Sequence, residues 1–395
     1  MNVRGGTAVA LSAARSDQER DQIMKNSLSP LSRVLAAGLA AAGAASSATA
    51  QQFANLDPGY QQQIYTGPLQ SGEGGFAWTS TGSLLTRWGS NIVEYNLAAT
   101  PNLHQGTTAH GVNTVHPVAG LGGVGNGVGL TNGLNGYVYA NTTSGLQRID
   151  LTSWTATTVA PVSSSGYGIT TLPDGRIAYT DSSGAGSNVY LYNPSTNTNT
   201  HIYTAPAGVL IDGMAAGPTG DIVLAGQSDS SLRVISSTGT PLATITGLTH
   251  FPDGLAFSSA IPGRIYANNN DGSITRFDLG PTYTSTPLIF DIATSLPGGK
   301  AYGDLAAAGP DCAFYVSSYE NGSYHGASPG VATHWANGTT NAEASYTRIN
   351  AVIQNPDGSV TPICDFYSPF QIPTPGSLVA LLAGCAAATR RRRSC

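Results

Sequence analysis

Charged side chains, lysine above all, are scarce in this chain of 395 residues: only 10% of its residues carry a charge. Of the 17 basic residues, five precede Gln51 and four close the chain, which leaves eight in residues 51–371, with Lys300 their one lysine. Of the 22 acidic residues, three precede Gln51 and none follows Gln371, which leaves 19 and a net charge of −11 for that stretch. The whole-chain value of −5 hides this acidity. Such a body has no electrostatic footing on nucleic acid or on an anionic membrane. Calcium and neutral glycans suit it better. Cysteine numbers four, two of them (Cys385 and Cys395) close to the C-terminus, and no spacing fits zinc. No Ser–His–Asp order, glycine-rich phosphate loop or paired-carboxylate signature stands out. Glycine, by contrast, is abundant at 49 residues, and Ser, Thr and Asn accompany it, as in a turn-rich, all-β exported protein.

What the chain does have is a repeat. Residues 251–279, FPDGLAFSSAIPGRIYANNNDGSITRFDL, read as two strands, a turn and a third strand. Leu255, Phe257, Ile265, Ile274 and Phe277 supply the apolar runs, and Pro262-Gly263 and Asp271-Gly272 interrupt them. One small sheet cannot bury both of its faces, so copies are expected, and they are present. Apolar anchors at Phe76, Leu130, Ile169, Met214, Leu255 and Leu305 are each followed by a glycine-containing turn and a second strand. A third strand then follows in most copies: NIVEYNL, GLQRIDL, NVYLYN, SLRVIS and SITRFDL. Repeats of about 40–50 residues with three or four strands mark a β-propeller, and six anchors predict six blades.

Both ends read as addresses. Residues 1–23 are mixed and charged, and Met24 opens a better start: Lys25 and Arg33, an apolar run over 34–45, then Ala48-Thr49-Ala50 ahead of Gln51. That order predicts a signal peptide over 24–50 with Ala48 and Ala50 setting cleavage before Gln51, and residues 1–23 a spurious extension. At the other end Pro373, Pro375 and Gly376 break structure, residues 377–389 are apolar, and Arg390, Arg391, Arg392 and Arg393 follow. Thirteen helical residues span roughly 20 Å, short of a ~30 Å hydrocarbon core, and the arginines would hold the tail at the cytoplasmic face. This order over 372–395 resembles the PEP-CTERM class of bacterial sorting signals, with IPTPG in place of Pro-Glu-Pro. The resemblance implies transfer to the cell surface or extracellular matrix, a transient membrane anchor and a membrane sorting protease as partner.

Residues 51–371 are then one propeller. Its two cysteines, Cys312 on an expected strand of the sixth repeat and Cys364 after the last strand-like run, are expected to form a disulfide stapling the final blade, at about 4 kcal/mol by chain entropy. Residues 98–126 carry His104, His110 and His116, whose spacing of six suits neither a helix nor a strand face, so loop positions are expected. Residues 320–343 read as a long loop of the sixth blade, with His334 and Trp335 a packed pair or a sugar platform.

The chemistry of a propeller gathers where the innermost strands begin, around one mouth of the channel. There stand Asp212 and Asp253, each before a glycine, with Glu73 one residue out of register in the first repeat and Asp304 in the sixth. Carboxylates about 5 Å apart would repel by about 3 kcal/mol per pair, which a calcium ion would relieve. The phrases SGEGGFAW, IDGMAAGPTGDIVLA and FPDGLAFSSAIPGRIYANN resemble the regucalcin and gluconolactonase family, six-bladed propellers with a divalent metal in the channel. The resemblance implies Glu73, Asp212 and Asp253 as metal ligands and lactone hydrolysis with Asp253 as base. The chain departs from the family pattern in one extra residue in GEGGFAW, in SGYGITT at the substrate loop, and in Asp212 where asparagine is usual. Asp-Gly is also an ordinary turn pair, and both readings of Asp212 and Asp253 stand at this point. Two functions follow: a surface-sorted propeller that binds matrix glycan or another surface protein, with a structural calcium, or a metal-dependent lactonase-like hydrolase.

Overall fold

The computed structural model of the chain describes residues 53–66, 74–95, 113–123, 129–161, 166–182, 186–295, 301–320 and 344–370. Ala48, Ala50, Gln51, Glu73, His104, His110, His334, Trp335 and the tail from Pro373 to Arg393 lie outside them. Twenty-six strands are described, in six antiparallel sheets.

Blade 1 holds β3 (Gly74–Trp78), β4 (Leu84–Trp88), β5 (Asn91–Tyr95) and β6 (Asn113–Pro117). Blade 2 holds β7 (Leu130–Asn132), β8 (Val138–Thr142), β9 (Gly145–Asp150) and β10 (Thr155–Ala160). Blade 3 holds β11 (Ile169–Thr171), β12 (Ile177–Ser182), β13 (Ser187–Asn193) and β14 (Thr198–Thr204). Blade 4 holds β15 (Ile211–Ala216), β16 (Ile222–Gly226), β17 (Ser231–Ile235) and β18 (Pro241–Ile245). Blade 5 holds β19 (Pro252–Phe257), β20 (Arg264–Asn269), β21 (Ile274–Asp278) and β22 (Leu288–Ser295), with β1 (Phe53–Leu56) added outside. Blade 6 holds β23 (Ala301–Ala308), β24 (Phe314–Glu320) and β25 (Ala344–Gln354), completed by β2 (Tyr60–Thr66), with β26 (Val360–Ile363) extending β25.

The first strands β3, β7, β11, β15, β19 and β23 touch in that order, and β23 touches β3, so the ring closes. The molecule is a six-bladed β-propeller. All six sequence anchors lie on these inner strands and are buried. The five repeated phrases are the third strands of blades 1–5. Residues 251–279 form β19, β20 and β21, and the glycines of their two turns, Gly263 and Gly272, adopt φ of 76° and 80°.

Packing explains the repeat. The core consists of six apolar layers among the described residues, one between each pair of neighbouring blades. Successive residues of a strand point to opposite faces, so Ile222 and Leu224 of β16 pack toward blade 3 while Val223 and Ala225 pack toward blade 5. Strands β15, β16 and β17 are buried at every position, whereas β18 on the rim is largely exposed. Inner strands therefore read as continuous small and apolar runs, and rim strands such as TNTHIYT are polar.

Blade 6 is built from both ends of the chain. Tyr60 to Thr66 pair with Ala351 to Ser345, seven consecutive rungs. β1 pairs only with residues 293–295 of β22, and Asp57 then donates its N–H to the Ile292 carbonyl at 2.7 Å. The segment read as a histidine-bearing loop contains β6, and His116 lies on it. Its Nε2 is 2.9 Å from Glu94 Oε2, and its ring stacks on Trp154 at 3.6 Å between centroids. The spacing of six between histidines concealed this, because pairing with β5 places His116 on a strand.

Candidate functional site in the central channel

The inner strands begin on one face of the ring and end on the other. On the starting side stand Asp212 of β15 and Asp253 of β19, 6% and 2% exposed. Neither belongs to a turn, which corrects the ordinary-turn reading. Both fall where ladder register shifts, between Ile211 and Met214 in β15 and between Pro252 and Gly254 in β19. Such bulges re-aim side chains near a channel mouth.

The glycines that follow are there for close approach. A Cβ on Gly213 would sit 1.8 Å from the Asp253 carbonyl oxygen, and one on Gly254 would sit 2.0 Å from the Ala306 nitrogen. Backbone thus packs on backbone from blade 4 to blade 5 to blade 6, and only glycine fits. The two aspartates are brought to equivalent places on adjoining inner strands. Glu73 lies outside the described residues, as does the side chain of Asp304. Among the described residues no group of three His, Cys, Asp or Glu side chains is arranged to hold a metal ion. Calcium takes six to eight oxygens, and two carboxylates do not make that set, so the described residues do not by themselves fit a calcium centre.

The channel holds a cavity of about 70 Å³, room for a few water molecules. Apolar anchors of the repeat such as Phe76, Leu130, Met214 and Leu255 line it together with polar Thr131, Asn132, Thr170 and Thr171. Tyr167 joins the lining on the starting side. Asp212 and Asp253 are not among these lining residues.

A segment outside the repeat lies on the strand-end side. Residues 367–370 line the cavity there. Tyr367 donates its N–H to the Phe257 carbonyl at 2.8 Å and packs on the layer between blades 4 and 5, while Phe370 packs on the layer between blades 6 and 1. Just upstream, Phe366 is fully buried against Phe314 and Tyr266, with ring centroids 5.3 Å and 4.7 Å away. Asp365 accepts hydrogen bonds from Ser258 and from the Tyr266 hydroxyl, which also lies 3.0 Å from the Tyr60 hydroxyl. Burial, reinforced by the neighbouring Tyr60 and Asp365, pushes the Tyr266 hydroxyl far above its ordinary pKa, so it stays a donor. Cys312 and Cys364 are joined in a disulfide with Cα atoms 4.8 Å apart. Cys312 occupies the turn before β24, at φ 61°, rather than a strand.

One polar cluster escaped sequence reasoning. His250, in the loop leading into β19, lies between Asp271 of the β20–β21 turn and Asp291 of β22. Its residues are separated by 21 and 41 positions, so no local pattern joins them. Burial alone would lower the His250 pKa, but the hydrogen bonds and charges of Asp271 and Asp291 outweigh it and hold the imidazole above its ordinary value.

No protein-family profile matches this chain, and no curated protein is similar to it in sequence. Solved structures share its fold. Regucalcin from Agrobacterium tumefaciens, a calcium-binding protein, aligns with a TM-score of 0.50 at 14% identity, over 73% of this chain and 93% of its own. A catalytically inactive virginiamycin B lyase from Staphylococcus aureus, with quinupristin, aligns at 0.50 and 15% identity, over 73% of this chain and 99% of its own. A gluconolactonase from Xanthomonas campestris aligns at 0.49 and 12% identity, over 75% and 91%. The two neighbours at a TM-score of 0.50, a regucalcin and a virginiamycin B lyase, share the fold of this chain, and at such identities the likeness defines the fold alone.

Proposed function

We propose that the chain is an exported propeller, sorted to the cell surface or extracellular matrix, that acts as a binding or scaffold module for neutral glycan or another surface protein. The observation that carries this reading is the channel: its cavity is only about 70 Å³, and residues 367–370 occupy part of its strand-end side. A ligand is therefore met on the outer surface of the ring rather than through it. The charge of −11 on residues 51–371, the leader over 24–50 and the tail over 372–395 support export and argue against nucleic acid. A membrane protease that recognises the tail is the sorting partner. Fractionation of cells expressing the full chain, beside a chain ending at Gln371, tests the address. The full chain is expected at the surface or in the matrix, and a cytosolic full chain overturns it. Co-sedimentation with isolated matrix polysaccharide tests the binding, and a protein left in the supernatant at every polysaccharide concentration counts against it.

A second reading is favoured by the placing of Asp212 and Asp253 at the starts of adjoining inner strands, on the fold of a calcium-binding neighbour. In it Glu73, Asp212 and Asp253 would hold a calcium ion, which would supply polarisation of a lactone carbonyl, and Asp253 would serve as base. Calorimetry with calcium, beside Asp253→Ala, separates the two. Tight binding lost in the variant, with lactone hydrolysis lost alongside, selects the hydrolase; polysaccharide binding that survives Asp253→Ala selects the binding module.

A further inference from the structure

We infer that the outer edge of β22 in blade 5 is a self-association site. A second copy of this chain pairs its own β22 there, antiparallel about a two-fold axis, with Ile289 facing Ile289. The inference stands on the fold and does not require the proposed function.

Leu288, Ile289 and Phe290 are consecutive on this strand and stand 58%, 48% and 43% exposed. On the outer strands of blades 1–4, β6, β10, β14 and β18, the described residues offer one exposed large apolar side chain, Leu242. Rim strands are kept polar because a free apolar edge invites another strand. This edge already accepts one: β1 lies antiparallel on residues 293–295, and the Asp57 N–H reaches the Ile292 carbonyl. Among the described residues no strand pairs with the outer side of 288–291, so the ladder that β1 begins is left unfinished.

The edge fits a copy of itself. Side chains alternate in face along a strand. Leu288 and Phe290 therefore share the face of Arg276 and Tyr266, toward blade 6, and Ile289 shares the face of Phe277, toward blade 4. A two-fold axis at Ile289 sets Leu288 against Phe290 of the second copy, Phe290 against its Leu288, and Ile289 against its Ile289. All three rungs are apolar on apolar, on both faces. An axis at Phe290 would instead set Ile289 against Asp291 and Leu288 against Ile292, whose carbonyl Asp57 already occupies. Pro287, which has no N–H, ends the ladder on one side and β1 ends it on the other. Arg276 holds the Phe290 ring at the edge, with its guanidinium carbon 4.4 Å from the ring centre. Three rungs bury less than the roughly 1,000 Å² of a stable interface, so the pair is weak. Two bodies that each carry −11 repel one another, so salt strengthens the pair.

Cross-linking of the full chain reads the register. Ile289→Cys brings two sulfurs together across the axis, because facing Cα atoms of an antiparallel pair lie about 4.5–5.5 Å apart, within disulfide reach. Under mild oxidation Ile289→Cys is expected to give roughly tenfold more covalent dimer than Leu242→Cys on the rim of blade 4. Equal yields would mark random collision and overturn the proposal. Sedimentation of the unmodified chain between about 1 and 300 µM is the second measurement. Its average mass is expected to climb toward twice the monomer, further at about 0.5 M salt, and Phe290→Lys is expected to abolish the climb. A monomer throughout, with the edge left to a strand of another protein, overturns the proposal. So does association that Phe290→Lys leaves intact.

Discussion

The two ends of the channel are built by different means. Where the inner strands start, the ring closes by backbone on backbone, with Gly213 and Gly254 removing the Cβ atoms that would hold the blades apart. Where they end, a non-repeating segment is attached through aromatic side chains, a buried carboxylate and a disulfide, and residues 367–370 line the cavity. The first end tolerates no added atom. The second is held by side-chain contacts that can be removed one at a time and by backbone hydrogen bonds of Asp365 and Tyr367 to blade 5.

The largest effect is expected at the starting end. Gly213→Ala or Gly254→Ala forces adjoining inner strands apart and should cost about 3 kcal/mol, read from a denaturation midpoint. A loss below about 1 kcal/mol would mean the bulged strands shift freely, and the contrast between the ends would collapse. Next comes the strand-end side. Asp365→Ala leaves the hydroxyls of Tyr266 and Ser258 without their buried acceptor, and a loss of about 2 kcal/mol is expected, with exchange rising first in residues 365–370. Equal loss across all blades would argue that the segment is an integral part of the ring.

The smallest effect sharpens the picture at the starting end of blade 5. The raised pKa of His250 means that its ion pairs stabilise fully below the ordinary value of 6.5 and are lost as pH rises through the folded-state value. For Asp271, burial raises the pKa, but hydrogen bonds from Ser273 and His250 lower it below its ordinary value, so its contribution is lost as pH falls through that folded value. Because the Asp271 and Asp291 side chains are 46% and 44% exposed, solvent screening keeps the His250 contribution below about 1 kcal/mol. Stability should therefore decline from about pH 6.5 upward, and His250→Ala should flatten that decline. A parallel pH profile in the variant would assign the slope to other groups.

What the sequence made legible is what recurs. Phe76, Leu130, Ile169, Met214, Leu255 and Leu305 could be aligned because each blade must bury the same position, and the third strands followed from shared phrasing. Strands β1 and β2 could not be read, since FANL and YQQQIYT take their identity from partners more than 200 residues away. Of the closing segment only Cys364 was read, through its expected disulfide, because residues 365–370 match no other part of the chain. Asp-Gly at 212–213 and 253–254 carried a local turn signal that tertiary packing overrode: glycine was needed there for the neighbouring blade's backbone, not for a turn. His250 and its two carboxylates meet only through the fold, and no spacing announced them.

The joining of Tyr60–Thr66 to the strand that ends at Gln354 sets a timetable. β2 emerges among the earliest strands and waits for nearly the whole chain before its partner exists. Through that interval its hydrogen-bonding edge stays open to any passing strand, and the slow step of folding is the meeting of two distant ends. A chain stalled or clipped before residue 344 would retain five complete sheets and still carry that open edge, which makes truncation products, more than point variants, the aggregating species of this protein.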